Sequence, residues 1–303
     1  MFDSVLWRRI WRHKLFYLFM LPGIIWFFLF SYVPLFGIQV AFRDFMYTGG
    51  FTGSPWAGLK YFNQFFDYYQ SFELIRNTII ISLMKLLIGF AMPIALAILL
   101  NEVRNVMFKK VVQTLSYLPY FVSWIVVVTL MQRLLTPYGG PVNDLLGSMG
   151  VEPIQFLNNT TWFYQMIVGS DIWKNIGWNS IIYMAAIAGI DQQLYEAAKI
   201  DGAGRFRQIW HVTLPGIRNI AVILFILSAG SLMSAGYEQL LLLNGPATAA
   251  IGSVLDVHVI GAGLSEGRLS YAAAVGLFQS VIAFILILTV NRIARKVSDV
   301  SLF

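Results

Sequence analysis

The sequence contains no cysteine, which excludes a disulfide framework, a thiolate metal site and a cysteine nucleophile. Charge is almost as scarce. Asp, Glu, Lys and Arg make up 12% of the 303 residues, where soluble domains carry about a quarter. The three histidines, His13, His211 and His258, show no metal-ligand spacing. No G-x-x-x-x-G-K-[ST] stretch is present, so the chain cannot build the usual phosphate cradle for ATP. A G-x-S-x-G elbow is also absent, and no paired carboxylates suggest catalysis. An enzymatic role is therefore not expected, and any energy must come from a separate protein or an ion gradient.

What fills the chain instead is apolar: 58% of residues are hydrophobic and 16% aromatic, with a mean hydropathy of +0.69. A helix needs about 20 apolar residues to cross the hydrocarbon core. Six stretches qualify, at about 15–36, 77–100, 111–134, 163–190, 218–243 and 269–291, and no period-2 alternation suggests a barrel. The first is too long for a signal peptide and lacks a small-residue cleavage pattern, so it reads as a retained helix. The expected fold is an all-α integral membrane protein with six transmembrane helices, a single transmembrane domain over 1–303 with an amino-terminal tail at 1–14.

The positive residues set the orientation. Fourteen of the 21 Lys and Arg fall in four alternate regions: Arg8, Arg9, Arg12 and Lys14; Arg104, Lys109 and Lys110; Lys199, Arg205, Arg207 and Arg218; and Arg292, Arg295 and Lys296. Opposite them stand Arg43, Lys60, Arg76, Arg133 and Arg268, while Lys85 and Lys174 lie within helices. Both termini and the loop at 191–217 are thus expected to be cytoplasmic. The net charge of +6 reflects topology in a multi-pass membrane protein, not nucleic-acid binding. The outer loop 43–76 mixes Gly and Pro with eleven aromatics, which suits an interfacial belt or a partner-docking surface. Loops 135–162 and 244–268 read as weakly charged outer connections.

The loop 191–217 is too long and too polar to be a simple connection. Tyr195 to Ile200 is good helix material, Gly202 and Gly204 interrupt it, Arg205 to Val212 can resume a helix, and Pro215 marks the restart into a membrane helix. Phe206, Ile209 and Trp210 supply apolar knobs, and Asp201 and Arg205 can pair if the helix runs through them. From the residues alone, a helix resting on lipid and a docking element both stand. The run Glu196-Ala197-Ala198, then Gly202 after three residues, then Val212-Thr213-Leu214-Pro215 after nine more resembles the EAA loop of binding-protein-dependent ABC importer permeases, with Val212 in the place of an Ile. Gly53-Ser54-Pro55-Trp56-Ala57-Gly58-Leu59, Arg76-Asn77-Thr78, Leu99-Leu100-Asn101-Glu102, Tyr117-Leu118-Pro119-Tyr120-Phe121 and Gly276-Leu277-Phe278-Gln279-Ser280 resemble the oligosaccharide permeases among them.

The resemblance implies a type I ABC importer permease. Its loop residues Glu196, Ala197, Ala198, Gly202, Val212, Leu214 and Pro215 would seat in a groove on an ATPase. The implied partners are a second permease, usually a different chain, two copies of the ATPase carrying ATP and Mg, an external solute-binding protein, a saccharide and membrane lipid. No cofactor or metal is expected in this chain. A permease for amino acids, peptides or polyamines is the nearer alternative, and an ion-coupled secondary transporter the more distant one.

Ionisable residues inside membrane helices mark function or a buried pair. Asp171, Lys174, Asn175, Trp178 and Asn179 are spaced to place most of them on one stripe, with Tyr237 and Glu238 as further candidates. Amides, a carboxylate and an aromatic plane suit a saccharide path. Interhelical polar contacts, with Asp171 and Lys174 neutralising each other, suit the same residues. Lys85, Gln113, Gln239 and Gln279 are singled out as polar groups within helices, and Glu238 is a possible partner for Lys85.

Overall fold

The computed structural model describes residues 11–298, so Arg8 and Arg9 lie outside the described residues. The described chain is helical, and its one β feature is an isolated bridge between Arg43 and Trp56. In order come α1 (Lys14–Phe42), α2 (Lys60–Phe66), α3 (Ser71–Glu102), α4 (Val106–Phe121), α5 (Trp124–Leu135), α6 (Pro141–Ser148), α7 (Phe163–Ala188), α8 (Gln192–Ile200), α9 (Arg205–Met233), α10 (Tyr237–Leu243), α11 (Pro246–Gly252), α12 (Leu255–Ser265) and α13 (Leu269–Ser298). By length and composition α1, α3, α9 and α13 can cross a membrane. The count rises to six if the bent pairs α4–α5 and α11–α12 are each one span.

Contacts divide the chain into two compact units, Met1–Phe65 with Ala262–Leu277, and Phe66–Gly261 with Phe278–Phe303. In the first, α1 has no buried residue before Val40. Beyond it Phe42 stacks on Trp56 at 5.7 Å, and Arg43 donates to the Ser54 carbonyl at 2.8 Å. Asp44 accepts from Lys60 Nζ at 2.8 Å and from the Tyr61 hydroxyl at 2.6 Å. Those hydrogen bonds, Lys60's first, hold the Asp44 carboxyl below the usual carboxylate range.

In the second unit, α3 and α7 pack along their lengths. Asn77 of α3 donates to the carbonyls of Ala250 and Ser253, and Thr78 Oγ1 accepts from Leu255 N. One apolar cluster gathers Ile81, Val128, Phe163, Ile167, Leu240 and Val254. Another gathers Ala97, Tyr183, Ile187 and Ile217. Gly177 lets α7 approach α4 closely, since a Cβ there would stand 2.0 Å from the Ser116 carbonyl oxygen. Small residues at such crossings let membrane helices meet backbone to backbone.

Three expected boundaries move. The stretch 111–134 is bent by 105° between Phe121 and Trp124. The stretch 218–243 begins earlier, as α9 runs unbroken from Arg205 to Met233, so Pro215 falls inside a helix near the start of its regular α segment. It then breaks at 234–236, where Gly236 adopts φ +89°. The segment 244–268 holds a helix pair bent by 111°. The stretch 163–190 forms the 26-residue α7, but Asp171, Lys174 and its amides keep it outside the four apolar spans.

Candidate functional site: a closed loop and a membrane cavity

The loop between α7 and α9 owes its shape to capping. Asp191 caps α8, its side chain accepting from Gln193 N at 2.9 Å. At the other end Gly202 N donates to the Lys199 carbonyl at 3.0 Å and Ala203 N to the Ala198 carbonyl at 2.8 Å, with Gly202 at φ +75°. This is a Schellman closure, in which the left-handed residue stands four positions after the residue whose carbonyl the next amide satisfies, here Ala198. The spacing from Ala198 to Gly202 is therefore a geometric requirement. Gly204 accepts from Gln208 N at 3.0 Å, opening α9.

Two contacts hold the pair of arms together. The Tyr195 hydroxyl meets Thr213 Oγ1 at 3.0 Å, and Ile190 packs so closely on Gly216 that a Cβ there would lie 2.5 Å from its Cδ1. Glu196 and Ala197 are exposed, Ala198, Val212 and Leu214 half-buried, and Pro215 exposed. Ile200 and Phe206 project furthest, 87% and 88% exposed. Asp201 does not pair with Arg205, because the helix stops between them. Arg205 instead reaches Glu102 at the end of α3, at 3.9 Å.

Two lysines hold broken helices. Lys174 does not pair with Asp171. It is buried and donates to the carbonyls of Pro119, Tyr120 and Val122 at the bend between α4 and α5, with the rings of Tyr120 and Trp124 each 5.7 Å away. Lys85 does not meet Glu238. It donates to the Ala235 carbonyl at 2.7 Å and to Gln239 Oε1, with Asp171 at 3.7 Å. The same break takes Gln279 on the Met233 carbonyl at 2.9 Å and on Asp256 at 3.1 Å. Asp256 also accepts from Ser234 Oγ and Gly236 N. Backbone groups freed inside a membrane must find partners within the protein, and a cation suits the negative end of a helix.

Beside the second break lies a cavity of about 350 Å³. Its wall carries Ser82, Lys85, Asp171, Asn179, Ser228, Ser231 and Ser234, with Phe90 and Tyr183 as aromatic faces. Ser82 Oγ is buried and has no protein partner. Such a wall offers hydroxyl, amide and carboxylate groups beside apolar planes, which is the surface a polyhydroxyl solute needs.

The family described as "Binding-protein-dependent transport system inner membrane component" matches residues 88–299. The chain belongs to that family. The permease is 45% identical over 292 residues to the Bacillus subtilis (strain 168) "Polygalacturonan/rhamnogalacturonan transport system permease protein YteP", covering 96% of this chain and 91% of that one. To "Protein LplB" of the same organism it is 43% identical, covering 96% and 92%. Among solved structures, a chain of a bacterial ABC transporter involved in the import of the acidic polysaccharide alginate superposes with a TM-score of 0.89. That match has 37% identity and covers 97% of this permease and 100% of the other chain. The alginate transporter in complex with an alginate pentasaccharide-bound periplasmic protein superposes equally, at 36% identity, covering 98% and 99%. The permease is thus a multi-pass ABC permease of the bacterial inner membrane with the type I fold.

Of the stripe read from the sequence, only Asp171 and Asn179 of the permease line the cavity. Asn175 donates to Asp171 at 3.3 Å. Lys174 and Trp178 lie on another face of α7, where Trp178 stacks on Tyr120 at 4.5 Å. The single stripe is therefore two faces, since a step of three and a step of four turn a helix to opposite sides of one line. Tyr237 and Glu238 are exposed and not part of the wall. Asp256 and the cavity serines escaped the sequence reading, because Asp256 sits in a segment read as loop and serines carry no distinctive spacing.

Gly202→Ala in the permease is expected to strain the closure, since an L residue in the left-handed region costs about 1–2 kcal/mol. Space is not the obstacle, as nothing lies within 4 Å of a Cβ there. Gly202→Asn should recover part of the loss. Hydrogen exchange of the Ala203 amide checks this: protection equal in Gly202→Ala and the unchanged protein would refute it.

Proposed function

We propose that the permease is the membrane-spanning half of an ATP-driven importer for a saccharide, an oligosaccharide by its relatives' named cargoes. An external solute-binding protein would deliver the cargo at the outer segments 43–76, 135–162 and 244–268. Both termini and the α8–α9 loop would be cytoplasmic, as the distribution of Lys and Arg supports. The assembly would contain a second, different permease and two copies of an ATPase that carries the ATP and Mg; this chain would hydrolyse nothing.

The observation that carries the reading is the loop. Its backbone is closed by the Schellman turn, while Glu196, Ala197, Ile200 and Phe206 are left exposed. A rigid knob with an apolar tip suits a groove on a moving partner, and α9 continues from it without interruption to the break beside the cavity. Motion of the knob would thus run along one helix to the break at 234–236, where the Ala235 carbonyl accepts from Lys85 beside Asp171. The cavity would form part of the saccharide path, with Ser82 Oγ, Asn179 and Asp171 meeting sugar hydroxyls and Phe90 or Tyr183 a C–H face.

The test is the assembled transporter in proteoliposomes, measuring uptake and binding-protein-stimulated ATP hydrolysis together. Glu196→Lys should lower both by about tenfold or more, as loss of one charge-assisted contact implies. Asn179→Ala should lower uptake while the purified assembly stays intact. Full coupling with Glu196→Lys would end the docking reading, and full uptake with Asn179→Ala would remove the cavity from the path.

A further inference from the structure

The cavity beside the break at 234–236 carries two charged residues on its wall, Lys85 and Asp171. The ammonium is already engaged. Lys85 Nζ donates to the Ala235 carbonyl and to Gln239 Oε1, and its side chain is the less exposed of the two, 13% against 23% for Asp171. Asp171 accepts from Asn175 at 3.3 Å and stands 3.7 Å from Lys85. A carboxylate has about four acceptor sites, so Asp171 keeps some of them for a ligand.

A second carboxylate backs the same wall. Asp256 accepts from the lining residues Ser234 and Gly236 and from Gln279, all uncharged donors. The break therefore gathers two carboxylates around one ammonium, and that ammonium is turned to backbone and amide oxygens. The other polar groups of the wall are neutral: the Asn179 amide and the hydroxyls of Ser82, Ser228, Ser231 and Ser234. The serines at 228, 231 and 234 fall in step because α9 tightens into a 3₁₀ turn at Gly230–Met233, the pitch at which residues three apart line up.

We propose that this cavity selects neutral saccharides over those bearing a uronate carboxylate, with Asp171 as the deciding residue. The proposal rests on the reading of the cavity as part of the saccharide path. A neutral sugar gives hydroxyl donors to Asp171 and acceptors to Asn179 and the serines. A uronate brings a third carboxylate to a wall whose one cation is engaged, and like charges within about 4–6 Å disfavour each other. Kinship with an importer of the acidic polysaccharide alginate does not fix the point, because the charge a membrane path accepts is set by its few ionisable side chains.

The test uses the purified assembly without its binding protein, so that the membrane part's own selectivity is read. It is incubated with an equal pool of neutral oligosaccharides (arabino-, xylo- and manno-) and uronate oligosaccharides (galacturonate and mannuronate), matched in length. Mass spectrometry then identifies what is retained. Neutral sugars should be retained about tenfold over uronates, the scale of one like-charge contact in a partly screened site. Asp171→Asn should bring the ratio to about one, and Asp171→Glu should keep it. Preferential retention of uronates by the unchanged assembly would overturn the proposal and leave the saccharide path standing. So would a full preference for neutral sugars that survives in Asp171→Asn. Retention of neither class would end the reading of the cavity as a saccharide path, and this inference with it.

Discussion

Lys174→Met is expected to give a permease that assembles poorly and melts about 5–10 °C below the unchanged protein. The methionine keeps most of the side chain's length but removes the donors that serve the Pro119, Tyr120 and Val122 carbonyls. Leaving a buried acceptor unsatisfied costs about 1–3 kcal/mol, while side-chain hydrogen bonds in membrane proteins average nearer 0.6 kcal/mol. For a group serving three acceptors, a loss of about 3 kcal/mol lies between these limits and yields that shift in a chain of this size. The 105° bend between α4 and α5 exists because those carbonyls have somewhere to go. Thermal unfolding in detergent reads the effect, with the exposed Lys110→Met as control. An unchanged melting point and unchanged uptake would mean that something else holds the bend.

Gly177→Ala should be as damaging, for a different reason. The added methyl would fall 2.0 Å from the Ser116 carbonyl oxygen and 2.3 Å from its carbon. Those atoms are backbone, so no side chain can swing aside, and either α7 or α4 must retreat by more than 1 Å. Overpacking costs typically 1–3 kcal/mol, and the upper end applies where backbone must move. Such a retreat would also pull Lys174, one turn away on α7, from its carbonyls. Gly169→Ala in the same helix meets nothing within 4 Å and should be neutral or slightly stabilising through helix propensity. Yield of monodisperse assembly and its melting point distinguish the two variants. If both behave alike, the close crossing at Gly177 is not what positions α7.

The loop was the most legible part of the chain, and its geometry explains why. A Schellman turn ties glycine to a fixed distance from the helix end, so Ala198 and Gly202 leave a signature in the sequence that needs no tertiary information. The polar stripe on α7 was less legible. Asp171 and Asn179 lie on the cavity wall, yet Lys174 belongs to a bend and Glu238 to the surface. A lysine in an apolar helix announces that it has a partner but not which one. Here the partners are carbonyls set free by helix breaks at 122–123 and 234–236, and nothing in a local window announces those breaks.

The sequence by itself determined the class of this protein. Apolar length forces helices across a bilayer, and scarcity of charge confines the polar work to a few positions. Local spacing determined the loop. Only the tertiary structure decided what the buried charges do, because a lysine's role depends on which backbone carbonyl a distant segment brings to it. Lys85 finds Ala235, 150 residues away, and Lys174 finds Val122, 52 residues away. Those meetings depend on how the helices cross, and therefore on contacts such as Gly177 against Ser116 that no periodicity records.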